Sequence, residues 1–340
     1  MIPILYNKNE VGFTTQGIGA LTDALTCYVE EARNGEYELE MTYPVNGIHF
    51  ADIAEGMFIC AIPSPYRKKQ PFRVYKITKP LDGIITIYAR HLSYDLSGIP
   101  VMPFKASGVN TALNGIKANA VQSSLFLFWT DISSGAEFSL ESPTAARSCL
   151  GGIRGSILDT YGGEFEWDYY DVKLHDKRGK DNGVTVRYGK NMTALDCEID
   201  AENTITGIMP YWQKEGVLVT CDPKVIYAEE AAYQKSIPVD FTTDFQEQPT
   251  PEQLKERTEN YIKENDIGEI SVSLDVSFVQ LEQMSGYEGL RVLEACDLCD
   301  TVTIQYENLG INIKAEIIKI KTNVLTERYE SVAVGSVRAN

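Results

Sequence analysis

The sequence predicts an α+β chain, mainly β, in which two β-rich regions stand on either side of a mixed α/β insert. Three observations carry that reading. Runs of about five to seven alternating or β-branched residues recur between turn clusters over residues 1–100. The period then changes from two towards that of a helix after Ser107. Beyond Met192 strand-like runs return and continue almost to the end.

In residues 1–100 the breaks fall at Asn34-Gly35, Pro44 to Gly47 and Pro63 to Pro65. Between them, Tyr37, Leu39 and Met41 share one face of a strand, and Glu38 and Glu40 share the other, so one side of that sheet is expected to be wet. Gln70 to Tyr88 reads as a β-hairpin. Phe72, Val74 and Ile77 lie among Arg73, Tyr75 and Lys76, Pro80-Leu81-Asp82-Gly83 supplies the turn, and Ile84 to Tyr88 resumes a β-branched run. Short strands at this spacing favour a barrel or a sandwich.

Residues 101–190 form the mixed segment. Asn110 to Ala120 predicts one short helix and Ala145 to Tyr161 a second, ended by Gly162-Gly163 where a left-handed cap is wanted. Glu164 to Tyr170, Val172 to His175 and Val184 to Tyr188, with the charged turn Asp176 to Gly183, predict a small meander.

Residues 191–340 predict a second β-rich region. Its strands are expected at Ala194 to Ile199, Ile205 to Trp212, Gly216 to Cys221, Ile237 to Phe241, Ile270 to Val279, Thr301 to Tyr306, Ile311 to Ile320 and Ser331 to Val337, with a turn at Glu307 to Gly310. A surface helix near 251–264 has a stated start: Thr250 can cap it, Pro251 suits its first turn, and Gln253 can reach back. Its apolar stripe is only Leu254, Tyr261 and Ile262.

A chain of 340 residues exceeds the usual size of one core, which predicts two to four domains. Seven scattered cysteines point to reduced thiols, and no run approaches the roughly 18 apolar residues of a membrane helix. The start Met1 to Leu5 lacks the basic flank of a signal peptide. A net charge of −17 argues against generic binding to phosphate backbones, while a wall of that sign would let a polyanion slide without sticking.

Candidate chemistry is sparse, and no catalytic, cofactor or metal site is assigned. In Glu164-Phe165-Glu166-Trp167-Asp168 three carboxylates share one strand face. Carboxyls two apart stand about 6.6 Å apart at the backbone, near the lower end of the roughly 6.5–9.5 Å used by inverting glycosidases. A solvated acidic face over packed aromatics explains the same pattern. Cys296 and Cys299 have the spacing of half a zinc site, but no second pair accompanies them, so they read as buried thiols beside a turn. Gly151 to Ser156 lacks the Lys-Ser/Thr of a phosphate loop and reads as helix packing. His91, with Ser93 and Asp95 nearby, reads as a structural hydrogen-bonding group, and Arg67-Lys68-Lys69 as a solvated loop.

The order of several segments resembles siphophage and prophage minor structural tail proteins, the tail-associated "prophage endopeptidase tail" or baseplate-hub family. They are Ile2 to Tyr6, Tyr37 to Pro44, Gln70 to Val101 with Ala89 to Leu96 inside it, Tyr188 to Met192, Thr206 to Tyr211 and Glu327 to Glu330. The resemblance implies a baseplate-hub-like architecture with two β-barrel-like domains, a tube domain over 1–100 and another over 191–340. It implies a homotrimeric ring at the virion tail tip that extends the tail tube and lets DNA pass. The implied partners are the ring-forming distal tail protein, the tape-measure protein and receptor-binding proteins. Longer relatives carry a C-terminal peptidase or glycosidase; this chain ends at Asn340, so a structural role rather than an enzyme is expected. The alternatives are a tail enzyme that degrades cell-wall glycan or peptide, and a carbohydrate receptor-binding module.

Overall fold

The computed structural model describes residues 1–78, 81–188, 190–200, 205–214, 216–229, 233–245, 247–265, 267–268, 271–278, 295–307 and 311–335. Pro80 of the expected hairpin turn, Gly189, the turn positions 308–310 and the expected strand end at 336–337 lie outside them.

In chain order the first strands are β1 (Ile4–Tyr6), β2 (Gly19–Ala20), β3 (Thr26–Ala32), β4 (Tyr37–Pro44), β5 (Phe58–Ala61), β6 (Gln70–Thr78), β7 (Ile84–His91), β8 (Pro100–Val101) and β9 (Phe104–Ser107). Then come α1 (Val109–Ala118), β10 (Leu127–Thr130), β11 (Glu137–Leu140), β12 (Thr144–Ala145), α2 (Ala146–Leu150), α3 (Ile157–Tyr161), β13 (Glu164–Asp168), β14 (Asp171–His175), β15 (Asp181–Arg187) and β16 (Met192–Asp200). The rest are β17 (Gly207–Lys214), β18 (Val217–Thr220), β19 (Ile226–Tyr227), β20 (Ser236–Asp240), α4 (Pro251–Glu264), β21 (Ser271–Phe278), β22 (Thr301–Tyr306), β23 (Ile311–Asn323) and β24 (Arg328–Gly335). Strand makes up 43% and helix 16%, so the mainly β prediction stands.

The expectation of barrel-like domains does not. The largest sheet runs β16-β21-β24-β23-β3-β4-β7-β6-β5-β1-β2, with β22 pairing both β15 and β23, and no sheet closes on itself among the described residues. The path ends at β2, whose two residues pair only with Ile4 and Leu5 of β1, too short a ladder to carry a closing seam.

The hairpin and the alternation of β4 appear as predicted. β6 pairs β7 antiparallel, with a register shift between Val74 and Lys76. Tyr37, Leu39 and Met41 are buried while Glu38 and Glu40 face out. Cys27, Val29, Ile85, Ile87 and Ala89 complete the same inner face. Period-two alternation thus places one face of each strand in a common core, each buried Leu or Ile contributing about 1.5–3 kcal/mol.

The predicted helix 145–161 is two helices. α2 stops at Leu150 and α3 starts at Ile157, because Gly152 (φ 92°) and Gly155 (φ 76°) hold left-handed backbone between them. Gly151 lets the two approach, since a Cβ there would lie 2.8 Å from Leu158 Cδ1, which agrees with reading this segment as helix packing. The predicted meander is also corrected. β13 and β14 form a hairpin and β10 adds to β14 in parallel, but β15 leaves to pair in parallel with β22 of the large sheet. The charged turn between them is drawn inwards by Arg178, described below.

The chain forms two compact units, the first of Met1–Leu195 with Asp275–Val334, the second containing Asp196–Leu274. In the second, β18-β17-β19 and β20 form a sheet whose Ile208, Trp212 and Val219, with Phe241 just beyond β20, bury Leu254 and Ile262 of α4. The predicted capping box at Thr250 and Gln253 is present. No described helix is long and apolar enough to cross a membrane.

Candidate functional site: a buried charge cluster and the outer face of the β13–β14 hairpin

Glu31 lies in phase with Cys27 and Val29, so the pleat of β3 points its carboxylate into the core, where it is 1% exposed. A buried carboxylate needs partners. Arg67 donates to it at 2.6 Å and Arg178 at 3.1 Å. Arg67 also pairs with Asp297 at 2.8 Å, and Asp297 accepts from Ser64 Oγ at 3.0 Å and from its neighbour Leu298 N–H at 2.7 Å. The Tyr329 hydroxyl donates to Cys296 O at 3.1 Å. Two guanidiniums therefore face two carboxylates, and the cluster is neutral. It staples segments near residues 31, 67, 178, 297 and 329 to one another.

Arg67 was expected in a solvated basic loop; the structure corrects this. Glu31 and Asp297 hold it in the interior, and Lys69 Nζ donates to the Tyr6 hydroxyl at 3.0 Å, which takes both residues out of any generic phosphate-binding patch. Tyr37 OH is buried beside the cluster without a hydrogen bond among the described residues. Burial first, then Glu31, pushes its hydroxyl well above the ordinary tyrosine value.

His91 has the structural role expected. It is fully buried, accepts from Ser93 N–H at its Nδ1 (3.2 Å), and so carries its proton on Nε2, which faces Gln70 Oε1 at 3.3 Å. Its ring stacks on Tyr37 with centroids 4.3 Å apart. Asp95, near His91 in sequence, pairs with Arg73 at 2.7 Å. Burial, then Arg147 and Arg67, holds the imidazole well below its ordinary pKa. Cys296 and Cys299 are buried thiols, as read, and burial pushes the Cys299 thiol up to about 12. Among the described residues no group of three or more His, Cys, Asp or Glu is arranged to hold a metal ion.

The three carboxylates of β13 share a face but not a task. Glu164 is buried, pairs with Arg33 at 3.3 Å and accepts from Arg178 N–H at 2.7 Å. Asp168 accepts from Gln70 Nε2 at 2.8 Å. Glu166 lies between Lys173 (3.0 Å) and His175 (2.9 Å). Burial works to raise the Glu166 carboxyl, but Lys173 and His175 outweigh it and hold it below the usual carboxylate value. A glycosidase general acid needs the opposite shift. The aromatic side is packed as read, with Phe165 and Trp167 buried and stacked at 5.0 Å.

Cross-strand register builds the outer face of this small sheet. Trp129 lies beside Lys173, and Lys173 beside Glu166. Sequence reasoning missed Trp129, Asp131 and His175 as members of this face, because β10 joins β14 only through a parallel pairing that no local pattern announces.

Residues 180–340 match the prophage endopeptidase tail family. The whole chain is similar to prophage tail protein gp18 from Listeria monocytogenes EGD-e, at 15% identity and TM-score 0.63, over 98% of this chain and 94% of that one. The chain has the fold of prophage tail proteins. It is likewise similar to the 43 kDa tail protein of prophage MuSo2 from Shewanella oneidensis, at 14% identity and TM-score 0.64, over 99% of this chain and 98% of that one. A tail protein from Neisseria meningitidis MC58 is similar at 9% identity and TM-score 0.61, over 99% of this chain and 96% of that one. A comparison with curated proteins finds no match. At such identities the likeness to the solved structures establishes the fold.

Proposed function

We propose that this chain is a structural hub protein of a phage or prophage tail: a homotrimer at the tail tip that docks on the ring-forming distal tail protein, continues the tail tube, and lets the tape-measure protein and then DNA through. The observation that carries the reading is the end-to-end similarity of fold with three tail proteins, each over at least 98% of this chain. The fold offers what such assembly uses. The large sheet is open, with β16 and β2 at the ends of its path, and strand edges are natural surfaces for a neighbouring subunit. A net charge of −17 suits a lumen that a polyanion must traverse without sticking.

The word endopeptidase in the family description raises the rival of a wall-degrading enzyme. Glu166, held below the usual carboxylate range, is poorly suited as a general acid, and Glu164 and Asp168 are engaged in side-chain contacts of their own. The structural reading is preferred on that ground. Light scattering over a range of concentrations, with and without the ring-forming tail protein, tests it. A trimer, alone or on the ring, is the expected result; a persistent monomer that ignores the ring, together with clearing of peptidoglycan in a zymogram, would replace the hub by the enzyme.

A further inference from the structure

Of the three tryptophans, Trp167 and Trp212 are buried at 8% and 4% exposure, while Trp129 on β10 is 49% exposed. With Leu127, 56% exposed two residues along the same face, it forms an apolar strip left in water on an open sheet face, which asks for an explanation. The groups across the sheet from Trp129 are polar and held in place. The indole lies against the His175 imidazole, with centroids 5.2 Å apart at 59°. His175 Nδ1 faces Asp131 Oδ2 at 3.3 Å and its Nε2 faces Glu166 Oε2 at 2.9 Å. Lys173 Nζ donates to Glu166 Oε1 at 3.0 Å, and Asp176 N–H to Asp131 Oδ1 at 2.8 Å.

From these contacts we infer that the outer face of β10, β14 and β13 is a saccharide-binding platform, on which a neutral pyranose lies against Trp129 and its hydroxyls meet Lys173, Glu166 and Asp131. The elimination is chemical. Lys173 spends one of its three donors on Glu166, and the two carboxylates keep unused lone pairs, so the ligand has to donate and accept at neighbouring positions. A purely apolar partner would strip water from these groups and leave them unpaired. Phosphates and nucleic acids would meet Asp131, Glu166 and Asp171 on the same face and be repelled. A sugar ring satisfies all three demands: its C–H face carries the weakly positive hydrogens that an indole π-face attracts, and its hydroxyls both donate and accept. The existing hydrogen bonds orient the polar groups beforehand, which lowers the ordering cost of binding. Glu166, held below the usual carboxylate range between Lys173 and His175, is placed to accept from a sugar hydroxyl.

The inference is independent of the hub reading and is tested on the chain alone. Isothermal titration calorimetry is the readout, since it reports binding equally in variants that lack the indole. The probes are soluble tetrasaccharides of glucose, galactose and N-acetylglucosamine, followed by a bacterial glycan array. At least one saccharide should bind saturably, with a shift of Trp129 emission in the wild type that the Trp129 variants lack. Trp129→Ala should weaken binding at least tenfold, Trp129→Phe should keep part of the affinity, and Lys173→Ala should lose several-fold. Leu125→Ala, on the same exposed edge but away from the polar groups, should change nothing. A flat response across probes and array, or equal binding by wild type and the Trp129 variants, overturns it. Self-association lost in Leu127→Asp, with no saccharide response, would overturn it in favour of a protein contact along β10.

Discussion

Single residues decide the interior of the first unit more than its alternation does. Glu31→Gln would leave Arg67 and Arg178 facing a neutral amide inside the core. Removing one partner of a buried ion pair typically costs about 3–5 kcal/mol, so the unfolding midpoint of the first unit in urea should fall sharply, with little change in slope. His91 gives a signed pH dependence. The folded protein keeps it neutral, whereas the unfolded chain takes up a proton below about pH 6.5, so the unfolded state binds more protons there. The stability it contributes is complete above that pH and is lost as pH falls, by up to about 1.4 kcal/mol per pH unit. His91→Gln, which can keep a donor near Gln70, should flatten this slope when unfolding is followed from pH 7 to pH 5. An unchanged slope would mean that other groups carry the acid sensitivity.

At the scale of elements, caps and turns set where strands and helices stop. Thr250 accepts from Gln253 N–H and the Gln253 side chain accepts from Thr250 N–H, so both halves of the box at the start of α4 are made. Thr250→Ala should cost about 1 kcal/mol, read as an earlier thermal transition of the second unit, while Thr250→Ser should be close to neutral. Gly163 leads into β13 at φ 93°, and a Cβ there would lie 2.6 Å from His175 O and 2.7 Å from Ile132 Cδ1. Gly163→Ala should therefore cost about 1–3 kcal/mol in backbone strain before any loss of packing is counted. Hydrogen exchange of β13 and β14 amides should rise before that of β3 and β4.

At the scale of the whole molecule, distant stretches of chain complete one unit. Lys319 to Asn323 of β23 pair with Tyr28 to Ala32 of β3, and Asp297 supplies the second carboxylate of the buried cluster. A fragment of residues 1–195 would expose the β3 edge and leave Arg67 and Arg178 sharing the single carboxylate of Glu31, so it should aggregate or lose its circular dichroism signal of packed aromatics, and co-expression of residues 275–340 should restore it. A fragment that folds to a soluble monomer on its own would contradict this account. The outer face of the same strands holds a shallow hollow of about 260 Å³ lined by Tyr28, Glu30, Glu38, Glu40, Tyr75 and Tyr88. Arg90 pairs there with Glu38 at 2.9 Å, and Lys319 with Glu36 at 2.7 Å, so the face is wet, as the alternation of β4 predicts, yet largely neutralised.

What is local can be read from residue order alone. The hairpin of β6 and β7, the wet and dry faces of β4, the strand Thr301–Tyr306 and the capped start of α4 follow from spacing over a few residues, because side-chain direction and capping are set within one turn or one pleat. Residue order also carries the resemblance to tail proteins, through many weak segments. Tertiary structure decided the rest. That Glu31 points inwards was written in its phase with Cys27 and Val29, but that Arg67, Arg178 and Asp297 meet it was not, since they come from loops whose paths no period fixes. The open sheet in place of barrels, the departure of β15 to β22, and the parallel join of β10 to β14 that sets Trp129 beside Lys173 and Glu166 all depend on contacts far apart in sequence. Such contacts are chosen by which buried charges and apolar faces can be satisfied together, and only the folded chain brings those choices to one place.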